Sequence, residues 1–499
     1  RLIYADWLDE NGEPLQAEFI RVQCELATLT PASDQYVRLK ERERELEHLF
    51  VDRMEVLNHS LDLEAPCLAL FDFRVRRRGF PWLMYLELDT PADLDEETLH
   101  SIYDQVETTV LKSAVQAYDF ENCYPSQIEL LMQRDLMKSA RELIIHGWDE
   151  WEEMGTNLTD DLIAVIAQAP TLGKLQSVEI DGPLSDQGLQ TLSGSPHLKQ
   201  LDKLNLHASD LSTVGLKSFA SSALSQQLTG LTCFQGEFTS DHIQAMTGNV
   251  WPQLCSLELY WSLEATGIQE LAQSQAFPNL AHLVLRSQQV GPTEINNMIA
   301  NDSWHLCSLD LSYSRFRIRD FRKLVQAPLV ERLHTLNLRA GHIGDQGSRA
   351  LASSRHLDQL RHLDLSDTTL DASGLQSLAE GVVLENLTTL DLGLSSEIFT
   401  ASEGAAFIRK LELPRIRHLN LWGLPIGSRG AQALAKKDWF HNIRILDLSS
   451  CQIGKTGAEA LLEALDPSIV ALIELTENNI PTEVADQFRE QFGERARID

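Results

Sequence analysis

A leucine pattern that recurs every 26 to 29 residues constrains the fold of this 499-residue chain more than any other feature. Each copy reads apolar-x-x-apolar-x-apolar, as in Leu201, Leu204 and Leu206. Twelve clear copies begin at Leu175, Leu201, Leu228, Leu254, Leu280, Leu306, Leu333, Leu360, Leu387, Ile416, Ile443 and Val470, and weaker copies begin at Leu83, Val115 and Ala140. A fixed period indicates one repeated structural unit, so the length does not predict several unrelated domains.

The two halves of each copy predict different secondary structure. Alternating apolar residues suit a short strand with one buried face, whereas the half that follows, as in residues 370–379, has the apolar spacing of a helix. Strands that alternate with helices stack in parallel. We therefore expect a concave parallel sheet of about fifteen strands with helices on the convex side.

This pattern resembles the leucine-rich repeat family, in its ribonuclease-inhibitor-like branch. The resemblance implies an α/β solenoid, a right-handed horseshoe of about fifteen repeats over residues 81–480. Members usually carry Asn, Cys or Thr three residues past the last strand leucine, where the side chain caps backbone groups of the turn. Here that turn slot holds mostly small hydrogen-bonding residues, namely Cys123, Ser209, Ser262, Ser314, Thr368, Ser395, Cys451 and Asn478.

Both ends of the chain predict caps for the repeats. Residues 1–80 do not fit the period, and the stretches 1–12 and 17–26 resemble the repeat-companion segment of some bacterial proteins. The resemblance implies an association with repeats and no activity. A small helical cap of this kind would cover the open apolar end of a solenoid. Residues 481–499 predict a C-terminal capping helix, with Val484, Ala485, Phe488 and Phe492 on one side.

Charge and cysteine usage exclude several classes of partner. The chain has 42 basic and 73 acidic residues, a net charge of −31, so we expect neither nucleic acid nor an anionic membrane as a partner. The basic run at residues 74–78 indicates salt bridges at the junction with the repeats more than phosphate binding. Seven scattered cysteines without a CxxC pair favour a reducing, cytoplasmic location and argue against a disulfide framework.

No motif of a catalytic, metal or cofactor site is present in the sequence. Three histidines, His282, His362 and His418, recur in one concave column, where a surface position is a simpler explanation than a metal site. We therefore expect a non-enzymatic protein with no cofactor and no metal.

An acidic column is predicted along the concave face. The slot between the second and third apolar positions of the repeat is acidic in nine of fifteen copies. Its candidate partner-binding residues are Glu179, Glu258, Asp310, Asp364, Asp391 and Asp447. Stacked carboxylates repel one another, so a basic partner or nearby bases should compensate. The same pattern is also explained by repeat architecture alone, and the sequence leaves both explanations open.

Aromatic residues supply the other candidates. The long interval between Ala140 and Leu175 contains Trp148, Asp149, Glu150 and Trp151, which is typical of a binding hot spot in a repeat insertion. The alternative is that both tryptophans pack beneath their own loop. A further group comprises Phe234, Tyr260 and Trp261 beside Arg286, with Trp422 farther along the concave face. Ordinary surface decoration explains this group equally well.

These features favour a protein-interaction scaffold that displays an acidic concave face to a partner with a basic surface. Residues 81–255 carry 26 acidic and only 8 basic residues, so we expect the partner to bind there. Two alternatives stay open. One is a regulator of an enzyme, such as a GTPase activator or an inhibitor, and the other is the recognition part of a larger ligase-type effector. The sequence makes no prediction of oligomeric state.

Overall fold

A computed structural model shows how the repeats are arranged. It describes residues 117–121, 123–146, 158–207, 211–234, 239–260, 265–286, 289–393 and 400–499, together with two strands and scattered helical residues before residue 105. The chain forms two compact units. Unit 1 comprises Arg1–Leu263 with Ser274–Leu280, and unit 2 comprises Glu264–Gln273 with Ala281–Asp499.

Unit 1 alternates strands with helices, as the repeat pattern predicts. Its strands are β1 (Phe71–Arg74), β2 (Tyr85–Asp89), β3 (Ala117–Glu121), β4 (Glu142–His146), β5 (Ser177–Asp181), β6 (Lys203–His207), β7 (Gly230–Phe234) and β8 (Ser256–Tyr260). Its α-helices are α1 (Pro125–Met132), α2 (Leu158–Gln168), α3 (Asp186–Ser193), α4 (Thr213–Ala220), α5 (Ala223–Gln227) and α6 (Ser240–Thr247).

Unit 2 continues the alternation with shorter strands. These are β9 (His282–Leu285), β10 (Gln289–Val290), β11 (Ser308–Asp310), β12 (Arg315–Phe316), β13 (Thr335–Asn337), β14 (His362–Asp364), β15 (Thr389–Asp391), β16 (His418–Asn420), β17 (Ile445–Asp447), β18 (Leu472–Glu474) and β19 (Ala496–Arg497). The helices are α7 (Ala265–Gln273), α8 (Pro292–Ala300), α9 (Ile318–Leu324), α10 (Gly344–Ala352), α11 (Ala372–Ala379), α12 (Ala401–Lys410), α13 (Gly427–Leu434), α14 (Lys455–Ala464) and α15 (Thr482–Phe492).

The strands pair in the register that the leucine period predicts. In unit 1, β2 to β8 are parallel, and Leu204 lies between Val178 and Leu231 in one buried column. Unit 2 repeats this arrangement, with Leu336 between Leu309 and Leu363. Burying each such side chain contributes about 1.5–3 kcal/mol. The α/β leucine-rich repeat fold is thereby confirmed. The departure is β1, which pairs antiparallel with β2.

Neighbouring repeats are linked at the helix N-termini by an aspartate. The hydroxyl of Ser212 accepts hydrogen bonds from the N–H groups of Val214 and Gly215 at the start of α4. Asp186 of the preceding repeat in turn accepts from both the backbone N–H and the hydroxyl of Ser212. Asp160 and Ser185 form the same pair one repeat earlier. These caps satisfy backbone donors that a helix start otherwise leaves exposed.

Three turn-slot residues, Asn478, Thr368 and Cys451, cap backbone groups as expected, whereas the buried hydroxyl of Ser314 has no hydrogen-bond partner among the described residues. Asn478 donates to the carbonyl of Leu448 at 2.8 Å and accepts from the N–H of Ile453 at 2.8 Å, so it joins two repeats. Thr368 donates to Leu365, and the thiol of Cys451 donates to the Leu421 carbonyl at 3.1 Å. Cys451 is thus a structural residue of the turn.

The two ends of the chain are described to different extents. The predicted C-terminal helix is confirmed as α15, with Val484, Ala485, Phe488 and Phe492 buried. In the N-terminal segment, Phe19, Val22 and Leu26 are helical and buried, but most of residues 1–80 lies outside the described residues. None of the helices that the structure describes has the length and apolarity to cross a membrane.

Candidate functional site

In each unit, the open face of the parallel strands carries the residues that alternate with the buried leucines. In unit 1 it has two informative columns. The middle column runs Asp119, Ile144, Glu179, Asn205, Thr232 and Glu258, and the outer column runs His146, Asp181, His207, Phe234 and Tyr260. Because paired parallel strands lie about 4.8 Å apart, side chains in one column are forced into contact with their neighbours.

An aromatic stack occupies the outer column at β6 to β8. The rings of His207 and Phe234 are stacked with centroids 4.1 Å apart, and those of Phe234 and Tyr260 are 4.0 Å apart and nearly parallel at 8°. All three side chains are half-buried. The structure therefore brings Phe234 and Tyr260 together, while Trp261 lies outside the described residues. Arg286 belongs to unit 2.

Carboxylates of the middle column hold this stack in place. The hydroxyl of Tyr260 donates to Glu258 Oε2 at 2.8 Å. His207 Nε2 lies 3.6 Å from Glu179 Oε1, and the amide of Asn205 donates to the other oxygen of Glu179 at 3.4 Å. Glu179 and Glu258 thus flank the aromatic rings. The role of His207 was not foreseen from the sequence, although its place before Phe234 in the repeat register is a usable signal.

A second histidine lies between two carboxylates nearer the start of the sheet. His146 Nε2 is 2.9 Å from Asp119 and its Nδ1 is 3.5 Å from Asp181. Residues that alternate with the buried leucines are themselves buried here, because Asp119 and Ile144 are 1% and 5% exposed and Ala117 is fully buried. The middle column is therefore buried at β3 and β4, and its first accessible residue after them is Glu179 on β5. The insertion residues Trp148, Asp149, Glu150 and Trp151 lie outside the described residues.

In unit 2 the acidic column has an architectural role. Asp310, Asp364, Asp391 and Asp447 each accept a hydrogen bond from the backbone N–H two residues later, at 2.8–2.9 Å. Asn337 and Asn420 do the same from equivalent positions. The strands there are only three residues long, so this N–H needs a side-chain acceptor. Either Asp or Asn can accept this hydrogen bond. The turn therefore explains why the slot holds a hydrogen-bond acceptor, but it does not explain why the residue carries a negative charge.

The charges of this column are unevenly compensated. Arg286 lies 3.4 Å from buried Asp310, which also accepts from the amide of Asn337 at 3.0 Å. Asp364 and Asp391, by contrast, are register neighbours. Burial, with the charge of Asp364 adding to it, raises the pKa of Asp391 to about 6. Burial also raises the pKa of Asp364. Holding negative charge on this adjacent pair is therefore costly.

One tryptophan is exposed beside this pair. Trp422 is 39% exposed in the outer column of unit 2, and its backbone N–H donates to Asn420 at 2.8 Å. Its ring neighbours Gly393, where an added Cβ would lie 3.6 Å from Trp422 Cε3. Asp391 accepts from the amide of Asn420 at 3.0 Å. An apolar ring and an acid are thus neighbours on an accessible surface.

His, Cys, Asp and Glu side chains are the possible metal ligands among the described residues, and cysteines are the possible reactive thiols. In the part of the chain that the structure describes, no three His, Cys, Asp or Glu side chains are grouped so that they could hold a metal ion. His362 and His418 are largely buried, not surface residues as expected. Burial raises the pKa of Cys233 to about 12, so this thiol stays protonated at neutral pH.

Comparison with protein families agrees with the repeat fold. A family model described as "Leucine Rich repeat" matches residues 359–379 and 441–462. No curated protein matches the sequence. Similar solved structures include a chain of the yeast Rad7 and Elc1 complex, at 15% identity and a TM-score of 0.39, covering 80% of this chain and 81% of that one. An internalin from Listeria monocytogenes has 15% identity and a TM-score of 0.32, covering 75% and 94%. With its repeat period, its two units of alternating strands and helices and this family match over two of its repeats, the chain has the leucine-rich repeat fold.

Proposed function

We propose that this chain is a non-enzymatic protein-interaction scaffold and that the open face of unit 1 between β5 and β8 binds a basic segment of a partner. The observation that carries the proposal is the half-buried stack of His207, Phe234 and Tyr260 flanked by Glu179 and Glu258. Aromatic anchors next to polar groups are the usual composition of an interface hot spot.

Preorganisation supports this role. The stack is held by ring contacts and by the bond from Tyr260 to Glu258, so little side-chain freedom remains to be lost on binding. Ordering a free side chain at an interface costs about 0.5–1.5 kcal/mol, and a rigid surface avoids part of that cost. Such a preformed surface favours a partner whose contacting side chains are spaced like neighbouring strands, about 4.8 Å apart.

The charge of this region supports a basic partner. Residues 81–255 carry 26 acidic and 8 basic residues, and Glu179, Asp181 and Glu258 lie on the face itself. Complementary charge accelerates encounter and suppresses acidic competitors. We propose Asp364, Asp391 and Trp422 as a further contact area of the same type in unit 2, because the adjacent acids there lack full compensation.

The proposal is tested with the double variant Phe234→Ala/Tyr260→Ala in a cross-linking pull-down with quantitative mass spectrometry. We expect the variant to lose partners that the native chain captures, with capture falling as salt rises. The control is Val214→Ala, which truncates a 73% exposed apolar residue on α4. An unchanged set of partners in the double variant, or captured partners that are uniformly acidic, would refute the proposal.

A further inference from the structure

A basic stretch in unit 2 stands apart from the acidic character of the chain. Residues 311–327 contain five bases and a single acid, Asp320, which is buried. The bases are Arg315, Arg317, Arg319, Arg322 and Lys323, and all five are exposed. Phe316, Ile318, Asp320 and Phe321 separate the bases, so they do not form an unbroken basic run in the sequence.

These exposed bases lie on β12, on α9 and at the residue between them. Around β12 the side chains alternate, so Phe316 is buried while Arg315 and Arg317 are exposed. On α9, Arg319, Arg322 and Lys323 are spaced i, i+3 and i+4 and therefore share one helix face. The opposite face carries buried Phe321 and Leu324. We call the five residues the basic surface.

Structural needs do not account for the basic surface. Lys323 donates to the side chain of Asn296 at 3.2 Å, but none of the four arginines forms an ion pair or a side-chain hydrogen bond with another described residue. Exposed unpaired bases contribute almost nothing to stability. Four arginines within eight residues, 315–322, repel one another, and a ligand of opposite charge would relieve this repulsion.

A groove adjoins the basic surface and offers donors for a carboxylate. It has a volume of about 350 Å³ and is lined by Arg322, Gln326, Gln346, Arg349, Ala350 and Ser353, which belong to α9, α10 and the turns after them. Two guanidinium groups and two amides supply N–H donors in a setting without an acidic lining residue. Guanidinium groups bind carboxylates in a bidentate geometry, so a Glu or Asp side chain suits this groove.

We propose that the basic surface and its groove bind an acidic peptide segment of a partner protein. The choice of a peptide rests on charge and extent. Nucleic acids and anionic membranes present negative charge over long distances, and the net charge of −31 would repel those parts of them that extend beyond the basic surface. A short acidic segment fits within it. This binding is independent of the proposed role of unit 1.

The test uses fluorescence anisotropy of a fluorescein-labelled hexaglutamate peptide with the full chain. We expect saturable binding that weakens as salt rises. The variant Arg319→Glu/Arg322→Glu should weaken binding by about tenfold or more, because two attractive contacts become repulsive. The matched control Lys217→Glu/Lys436→Glu changes net charge equally at exposed positions elsewhere and should retain the affinity. Far-UV circular dichroism verifies that both variants are folded.

Several results would overturn the proposal. These are an absence of peptide binding, an equal loss of affinity in the control variant, and tighter binding of a labelled single-stranded oligonucleotide or of phosphatidylserine vesicles. Concentration-dependent self-association that Arg319→Glu/Arg322→Glu abolishes would instead identify a second copy of this chain as the occupant. Phe234 and Tyr260 do not belong to the basic surface, so Phe234→Ala/Tyr260→Ala should bind the peptide as the native chain does. This result is expected whether or not the proposed function of unit 1 is correct.

Discussion

Replacing Asp391 by Asn should make this protein more stable at neutral pH. The folded-state pKa of Asp391 is about 6 against an ordinary 3.8, because burial and the neighbouring Asp364 disfavour its charge. A carboxyl with a raised pKa contributes stability below pH 4 and loses that contribution as the pH rises through 6. Asp391→Asn resembles the protonated form and should escape this loss.

The magnitude follows from the shift and the hydrogen bonds. A rise of about two pKa units corresponds to about 3 kcal/mol at most, which partial exposure of the side chain reduces to about 2 kcal/mol. The Asn side chain can still accept from the N–H of Gly393, as Asn420 does from Trp422. It no longer accepts the amide of Asn420, which costs about 1 kcal/mol. We expect a net gain of about 1 kcal/mol at pH 7.5.

Urea unfolding followed by circular dichroism at about pH 4 and about pH 7.5 measures the effect. The difference in unfolding free energy between Asp391→Asn and the native chain should rise with pH by about 2 kcal/mol, since the lost hydrogen bond affects both conditions alike. Asn420→Asp is the matched reverse change and should destabilise the chain at pH 7.5. A difference that stays constant with pH would refute the argument from burial of the charge.

Three further predictions concern stability and reactivity. Gly215→Ala should destabilise the chain by about 1–3 kcal/mol in urea unfolding, because its methyl group would lie 1.9 Å from Asp186 Oδ1, whereas Gly173→Ala, with 3.8 Å to the nearest atom, should be neutral. Asn478→Ala should cost about 2–4 kcal/mol by the same measurement, since it leaves buried carbonyls unpaired in two repeats. Cys233 should resist maleimide in the folded chain at pH 7, as peptide mapping can verify, because its pKa is about 12. Labelling at the rate of an unfolded control would contradict the last prediction.

The acidic column illustrates how a repeat motif combines two roles. The N–H of Gly393 needs an acceptor, and both Asp and Asn provide it, as Asp391 and Asn420 show. The turn therefore does not require a negative charge at this slot. Asp364 and Asp391 nevertheless carry one, although the pKa of each carboxyl is raised. Placing Asn at either position would keep the turn and remove the charge cost, so the charge itself is the feature that a basic partner would explain.

The sequence was sufficient for the fold and insufficient for the surfaces. Buried positions recur with a fixed period in the sequence. This period predicts the strands and their parallel register at Leu204, at Leu336 and at the equivalent leucines, without information on distant contacts. The same period predicts which residues share a column, and it correctly aligned Phe234 with Tyr260. It did not predict that His207 joins their stack, because ring orientation depends on packing.

Only the tertiary structure decided which side chains are accessible to solvent and which partners they contact. Asp119 and Ile144 occupy open-face positions by sequence, yet both are buried, whereas Trp422 in the outer column of unit 2 is exposed. The five bases from Arg315 to Lys323 are close together in the sequence, but only the structure shows that all five are exposed while Phe316, Asp320 and Phe321 between them are buried. The repeat period in the sequence determines whether a side chain points toward or away from the core. The free energy of placing a charged or aromatic side chain there depends on its neighbours, which are known only in the folded chain.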